Sequence, residues 1–295
     1  MNVAMRRTAG LMSVACLLVV AVAAQERPLP EREAFLRETR KHLQTDTSLQ
    51  SSYVYVETRR EQKLDERGRV LEESVKVFES YPGLPGENRW ERLIAENGRP
   101  RPAAELEKVD RDRQRQAEAL ARLLTEQPAK ERARQERDLA EQRREFEAIV
   151  DDIFLVFDID MRGREAIEGH DTIALSLTPR PEAKPRTHQG RQLQKFALRA
   201  WINESDYELV RLDAEAIDTL SMGFGVLARL HKGSQLSFLR RRVNNEVWLP
   251  AAVHFRGGAR VALVQTLRRS GTSEFSDYRK FSVDTATTYQ PPKTQ

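Results

Sequence analysis

The segment FALRAWINESDYELVRLDAEAI, running from Phe196 to Ile217, alternates apolar and polar residues on both sides of a four-residue polar interruption. Phe196, Leu198, Ala200 and Ile202 recur at every second position, the period of a strand with one buried face. Asn203-Glu204-Ser205-Asp206 supplies side chains that favour tight turns. The two arms, Phe196 to Ile202 and Tyr207 to Ile217, are therefore expected to fold back on each other as an antiparallel hairpin.

The same grammar repeats on both sides of this segment. Gln235 to Val243 and Val247 to Phe255 flank Asn244-Asn245-Glu246, and Val261 to Arg268 and Phe275 to Val283 flank Ser270-Gly271-Thr272. Upstream, Ile153 to Met161 and Ile173 to Leu177 flank Glu168-Gly169-His170, while Ser52 to Thr58 and Leu71 to Tyr81 flank Asp65-Glu66-Arg67-Gly68. Trp90 to Ala95 reads as one further short strand, ending at Asn97-Gly98. Thr178 to Gln192, with Pro179, Pro181 and Pro185, reads as a long mobile loop. Leu236, Phe238, Val247, Leu249, Ala251, Val253, Phe255, Val261 and Leu263 continue the apolar face; Arg199, Arg241, His254 and Arg256 mark the opposite one. One greasy and one wet face is the ordinary pattern of antiparallel sheets.

Two segments break the β pattern. Residues 30–46 place Phe35, Leu36, Thr39 and Leu43 at helical spacing. From Ala103 to Val150 glycine disappears and charges of both signs alternate, with 11 Lys and Arg against 12 Asp and Glu between 103 and 147. Leu106, Val109, Ala117, Leu120 and Leu124 form one narrow apolar stripe there, and Leu139, Phe146, Ile149 and Val150 a second, separated by Pro128. The expectation is a kinked helical pair with a solvated charged face. There are too few strands for a two-sheet sandwich. The fold class expected is α+β, mostly β: a strongly curved antiparallel sheet, a half-barrel, covered by an N-terminal helix and a long charged helical insertion. A cavity between such a sheet and its helices would be lined by Phe196, Leu198, Leu236, Phe238, Val253, Phe255, Val261 and Leu263. An apolar lining of this kind suits an acyl chain.

The chain opens with Arg6 and Arg7, an apolar run from Leu11 to Val22, and small residues before Gln25. This reads as a secretory signal over residues 1–24, cleaved near Ala23 or Ala24, with a lipobox at Ser13-Val14-Ala15-Cys16 as the competing interpretation. Export to the periplasm follows. Cys16, the single cysteine, leaves with the signal, so a packed core rather than disulfides must stabilise residues 25–283, expected to form one domain ahead of a flexible tail at 284–295. No later stretch reaches the roughly 18 apolar residues of a spanning helix. Without the signal, 47 basic residues face 45 acidic ones, a balance that asks for no nucleic acid.

Catalytic signatures are missing: there is no Gly-x-Ser-x-Gly elbow, no His-Glu-x-x-His and no phosphate loop. His42, His170, His188, His231 and His254 are scattered without metal-ligand spacing, and Gly223-Phe224-Gly225 lacks the strand-to-helix context of a nucleotide loop. No enzyme, metal or cofactor is expected. Arg240-Arg241-Arg242, with Lys184, Arg186 and Arg191 on the proline-rich loop, could meet anionic headgroups in a peripheral membrane contact.

In organisation the chain resembles the outer-membrane lipoprotein carrier superfamily, the Lol-type periplasmic carriers and their sensor relatives. The resemblance rests on the order of signal, helix, early hairpin, helical interruption and closing hairpins, and locally on Arg199-Ala200-Trp201-Ile202 leading into Tyr207-Glu208-Leu209-Val210-Arg211. Pro85 with Asn88-Arg89-Trp90 departs from the carriers' proline and Phe-Arg-Trp pattern, and the insert at 103–150 is longer than theirs. The resemblance implies a periplasmic carrier of lipid or lipoprotein acyl chains. The alternative is an envelope interaction or sensor module that docks a protein partner through the charged arm.

Overall fold

The computed structural model describes residues 27–45, 52–84, 87, 89–126, 129–222, 228–261 and 265–280. The signal segment, Pro128, Gly223-Phe224-Gly225, Leu263 and the tail after 280 lie outside these residues. Among these described residues four helices, α1 (Arg32–Thr45), α2 (Ala103–Glu126), α3 (Ala129–Val156) and α4 (His188–Leu193), accompany thirteen strands. The strands are β1 (Tyr53–Leu64), β2 (Val70–Pro82), β3 (Arg89–Glu96), β4 (Arg99–Pro100), β5 (Phe157–Ile167), β6 (His170–Pro179), β7 (Phe196–Asn203), β8 (Leu209–Ala216), β9 (Leu220–Met222), β10 (Ala228–Leu230), β11 (Gln235–Val243), β12 (Val247–Val261) and β13 (Gln265–Lys280).

All thirteen belong to one sheet. Its main path runs β4-β3-β2-β1-β13-β12-β11-β8-β7-β6-β5, with β9 and β10 appended beside β12, and the outermost strands do not meet. It is the open, curved antiparallel sheet with helical cover that the alternation led one to expect. Register shifts interrupt six of its ladders, at Val54/Val56, Lys63/Leu64, Leu239/Arg240, Val77/Phe78, Met161/Gly163 and Trp201/Ile202. Such irregularities bend and twist the strands that carry them.

Turn chemistry explains the tight connections. The Asn203 side-chain oxygen accepts from the Ser205 amide and hydroxyl at 2.8 and 2.7 Å, closing the β7–β8 hairpin. Asn244 and Asn245 both adopt positive φ, 53° and 57°, as a primed turn between β11 and β12 requires. In the β1–β2 turn the Asp65 carboxylate accepts from the Arg67 and Arg69 amides, and Gly68 takes φ 80°.

The main core lies where helices cover β5 to β8. Phe35 of α1 and Val156 of α3 join Phe157, Ile159, Ile173, Leu175, Leu198 and Ile202 in one buried cluster. The Glu31 carboxylate caps α1 by accepting from the Glu33 and Ala34 amides at 2.8 and 2.6 Å. A smaller cluster of Tyr53, Val247 and Leu249 joins β1 and β12 on either side of β13, in the middle of the sheet.

Three local expectations are corrected. The Ile153–Val156 segment is helical, not strand: it forms the last turn of α3, from which Ile153, Phe154 and Val156 pack into the core over the sheet. Ser270-Gly271-Thr272 is no turn: β13 runs through it, with Thr272 opposite Arg60 and Gly271 opposite Glu61. Serine and threonine are as compatible with strand as with turn, and Gly271 sits where β13 crosses between β1 and β12. The proline-rich segment 180–187 is pinned rather than free. The fully buried Asp152 carboxylate accepts from the Arg186 amide at 2.9 Å and from the Thr187 amide and hydroxyl at 2.8 and 2.7 Å, while Thr187 caps α4 by accepting from the Gly190 amide. Glycine is required at 190 because a Cβ there would lie 2.3 Å from Asp152 Oδ2.

Candidate functional site

Strand register aligns the apolar residues into rows that cross the sheet. One row reads Leu177, Leu198, Ala214, Leu236, Phe255, Gly271 and Glu61; the next reads Leu175, Ala200, Leu212, Phe238, Val253, Ser273 and Arg59. Period-2 strands in register must stack in this way, so the pattern along each strand becomes a continuous apolar floor.

Helical cover ends partway along that floor. Leu177 and Leu198 are 6 % and 8 % exposed beneath α1 and α3, whereas Leu236, two strands further on, is 38 % exposed. Phe238, Val253 and Phe255 are half-buried. Beyond Phe255 a recess of about 280 Å³ opens, walled by Gly271, Glu61, Lys63 and Ser74. The floor stops at a polar rail on β13 and β1: Ser273 Oγ donates to Glu57 at 2.6 Å, and Arg59 pairs with Glu57 and Glu91, both at 2.8 Å, with its guanidinium 4.5 Å from the Phe78 ring centre. The hydrogen bonds that Arg59 donates to the Glu57 carboxylate keep its guanidinium charged more firmly than usual.

Of the eight residues picked from sequence, Phe196, Leu198, Leu236, Phe238, Val253 and Phe255 share this face. Leu198 and Phe196 are packed in or against the helix-covered core; the other four line the part that α1 and α3 leave open. Val261 is the last residue of β12, opposite Ala228 and Gln265, and Leu263 falls outside the described residues.

The opposite, polar face carries a larger groove of about 540 Å³ that crosses six strands. Leu177 and Leu198 bury their side chains on the helix side, so they contribute only backbone to its floor. Its walls are side chains such as Arg199, Asp213, Ser237 and His254 on one flank and Glu215, Gln235 and Arg256 on the other. Trp201 lies on this face as well: Arg199 and Arg211 stack on its ring at 4.9 and 4.8 Å, and its Nε1–H donates to Glu165 at 2.7 Å. Charges drawn only as the wet side of the sheet thus form a built surface. The one sequence signal of it was that Arg199, Arg211 and Trp201 share a strand parity.

The Arg240-Arg241-Arg242 cluster is absorbed by internal contacts. Arg240 is buried, donating to the Trp248 carbonyl at 2.8 Å and pairing with Glu208; Arg241 pairs with Glu168 and Arg242 with Asp206. No described helix is long and apolar enough to cross a membrane.

No family model and no curated protein matches the sequence. Among solved structures the chain is similar to a domain described as an outer membrane lipoprotein-sorting protein from Vibrio parahaemolyticus, at 8 % identity and TM-score 0.31, over 84 % of this chain and 93 % of that one. It is also similar to a LolA superfamily protein from Nitrosomonas europaea, at 10 % identity and TM-score 0.26, over 88 % and 99 %. A DUF1329 family protein from Desulfovibrio piger is similar at 12 % identity and TM-score 0.29, over 86 % and 93 %.

Proposed function

We propose that the chain is a periplasmic binding or carrier protein for a lipid or lipoprotein acyl chain, held on the apolar face of the sheet where α1 and α3 stop covering it. One observation carries the reading: two rows of apolar side chains run without interruption from the helix-covered core to Leu236, Phe238, Val253 and Phe255, which remain open. Each methylene withdrawn from water is worth about 0.8 kcal/mol, so an acyl chain laid along this floor gains from every group it buries. The same figure makes unaided passage of a lipid through an aqueous compartment slow, which is the problem such a protein solves. The export segment at residues 1–24 supports a periplasmic location.

The test is a titration with a fluorescent fatty acid, using protein lacking residues 1–24. Saturable binding near one equivalent is expected. Fluorescence no higher than with a control protein of similar charge would remove the reading.

A second reading, docking of an envelope protein by the charged arm, is favoured by a separate observation. Asp110 pairs α2 with Arg92 of β3, and Arg113 pairs it with Glu87 just ahead of that strand, yet Leu123, Leu139 and Phe146 stay 66 %, 64 % and 41 % exposed. Substituting Leu139→Lys and Phe146→Lys should abolish cross-linking to a partner while fatty-acid binding persists. Unchanged cross-linking would exclude this arm as the docking element.

A further inference from the structure

We propose that the depression between the β10–β11 turn, β12 and the β1–β2 turn is a binding site for a phosphate-bearing anion. It lies on the polar face of the sheet and stands independently of the acyl-chain reading. The space is about 340 Å³ and is lined by Lys232, Arg256 and Arg268 among others, with no aspartate or glutamate in its walls.

The register brings these cations together. β12 pairs with β13 so that Arg256 lies opposite Ser270 and Gly258 opposite Arg268, which makes the two arginines diagonal neighbours on one face. Such neighbours are roughly 7 to 8 Å apart, within reach of each other for side chains of this length, and like charges so placed repel. Elsewhere on the same face the chain neutralises its arginines: Arg211 pairs with Asp213 at 2.8 Å, and Arg199 approaches Glu165 at 3.6 Å. Arg268 instead donates to the Glu66 carbonyl at 2.9 Å, a neutral partner. Neither Arg256 nor Lys232 has an ion pair or hydrogen bond with a carboxylate among the described residues.

Glycine shapes the space that remains. The His231–Ser234 turn sits directly on β12, where a Cβ on Gly257 would lie 2.6 Å from Ser234 Oγ. Gly233, at φ 82°, turns the chain toward β11, and Gly68 closes the other wall with its Cα facing the Arg256 guanidinium. With no side chains at these positions, Arg256, Arg268 and Lys232 supply the charged part of the lining. Forked donors match the several oxygens of a phosphate better than the two of a carboxylate, and a doubly charged anion compensates the repulsion best. Inorganic phosphate and a phospholipid headgroup offer the same chemistry.

The experiment compares wild type, Arg256→Gln with Arg268→Gln, and Lys232→Gln, with Arg162→Gln as a distant exposed control. Each is titrated with inorganic phosphate by calorimetry and, separately, floated with phosphatidylglycerol–phosphatidylcholine vesicles at near-physiological ionic strength. All substituted residues are exposed, so thermal midpoints should match wild type and report intact folding. Wild type and Arg162→Gln are expected to bind phosphate saturably, with affinity at least tenfold lower in the double variant and severalfold lower in Lys232→Gln. Vesicle binding lost in the same variants assigns the site to a lipid headgroup, and phosphate binding without vesicle binding assigns it to a soluble anion. If wild type binds neither, or the double variant binds as wild type does, the proposal is overturned.

Discussion

Replacing Asp152 with alanine is expected to lower the stability of the chain by about 3 kcal/mol, because it strands three buried donors at once, each costing about 1 to 3 kcal/mol when only partly rescued by water. The carboxylate is fully buried and holds the Arg186 amide and the Thr187 amide and hydroxyl, fastening segment 180–187 and α4 to the inner face of α3. A drop of roughly 6 to 12 °C in the unfolding midpoint follows for a domain of this size. Asp152→Asn keeps the shape but can satisfy fewer of the donors, so an intermediate loss is expected.

The same carboxylate sets a pH dependence whose sign is fixed by its surroundings. Burial alone would push its pKa up, but hydrogen bonds from the Arg186 amide and from Thr187 outweigh it and hold the group below the ordinary carboxylate range. Its contribution is therefore complete above about pH 4, the unfolded value, and is lost as pH falls through the lower folded value. The stability gap between wild type and Asp152→Ala should narrow only below about pH 4, measured by denaturant titration at successive pH values. A gap that stays constant down to pH 2 would show that the hydrogen bonds of this carboxylate do not carry the effect.

The second large effect concerns the ligand. Phe238→Asp or Phe255→Asp places a carboxylate in the open part of the apolar floor, and fatty-acid affinity should fall about 100-fold. That figure corresponds to losing contact with three or four methylenes at about 0.8 kcal/mol each, about 3 kcal/mol in all, with 1.4 kcal/mol per tenfold change. Both positions are half-buried, so the fold should survive the substitutions. His254→Asp, one residue away on the opposite face and exposed, should bind the probe as wild type does. Equal loss in all three variants would mean that charge, not the apolar floor, governs binding.

The site was half legible in the chain. Alternation in Phe196–Ile202, Gln235–Val243 and Val247–Phe255 separated the apolar face from the polar one, since period-2 geometry leaves no other option once the strand is recognised. What alternation cannot carry is exposure. Leu198 and Leu236 look alike in sequence and face the same way, yet one lies beneath α1 and α3 and the other does not. The anion depression was not visible at all, because Lys232, Arg256 and Arg268 belong to different elements and only register brings them together. Conversely, Arg240-Arg241-Arg242 stood out as a run and proved to be consumed by Glu208, Glu168 and Asp206.

Local chain chemistry was enough to settle the antiparallel pairing of neighbouring strands, the hairpins at Asn203–Asp206 and Asn244–Glu246, and the two faces of the sheet. All of these depend on interactions within about a dozen residues. The pairing of β13 with β1, which sets Tyr53 opposite Lys280, and of β11 with β8 across an excursion through β9 and β10, came from the folded state alone. So did the passage of β13 through Ser270-Gly271-Thr272 and the burial of Asp152 against Thr187. Contacts between residues so distant along the chain are selected by the total burial and hydrogen bonding of the assembled sheet, and leave no mark in any local window of sequence.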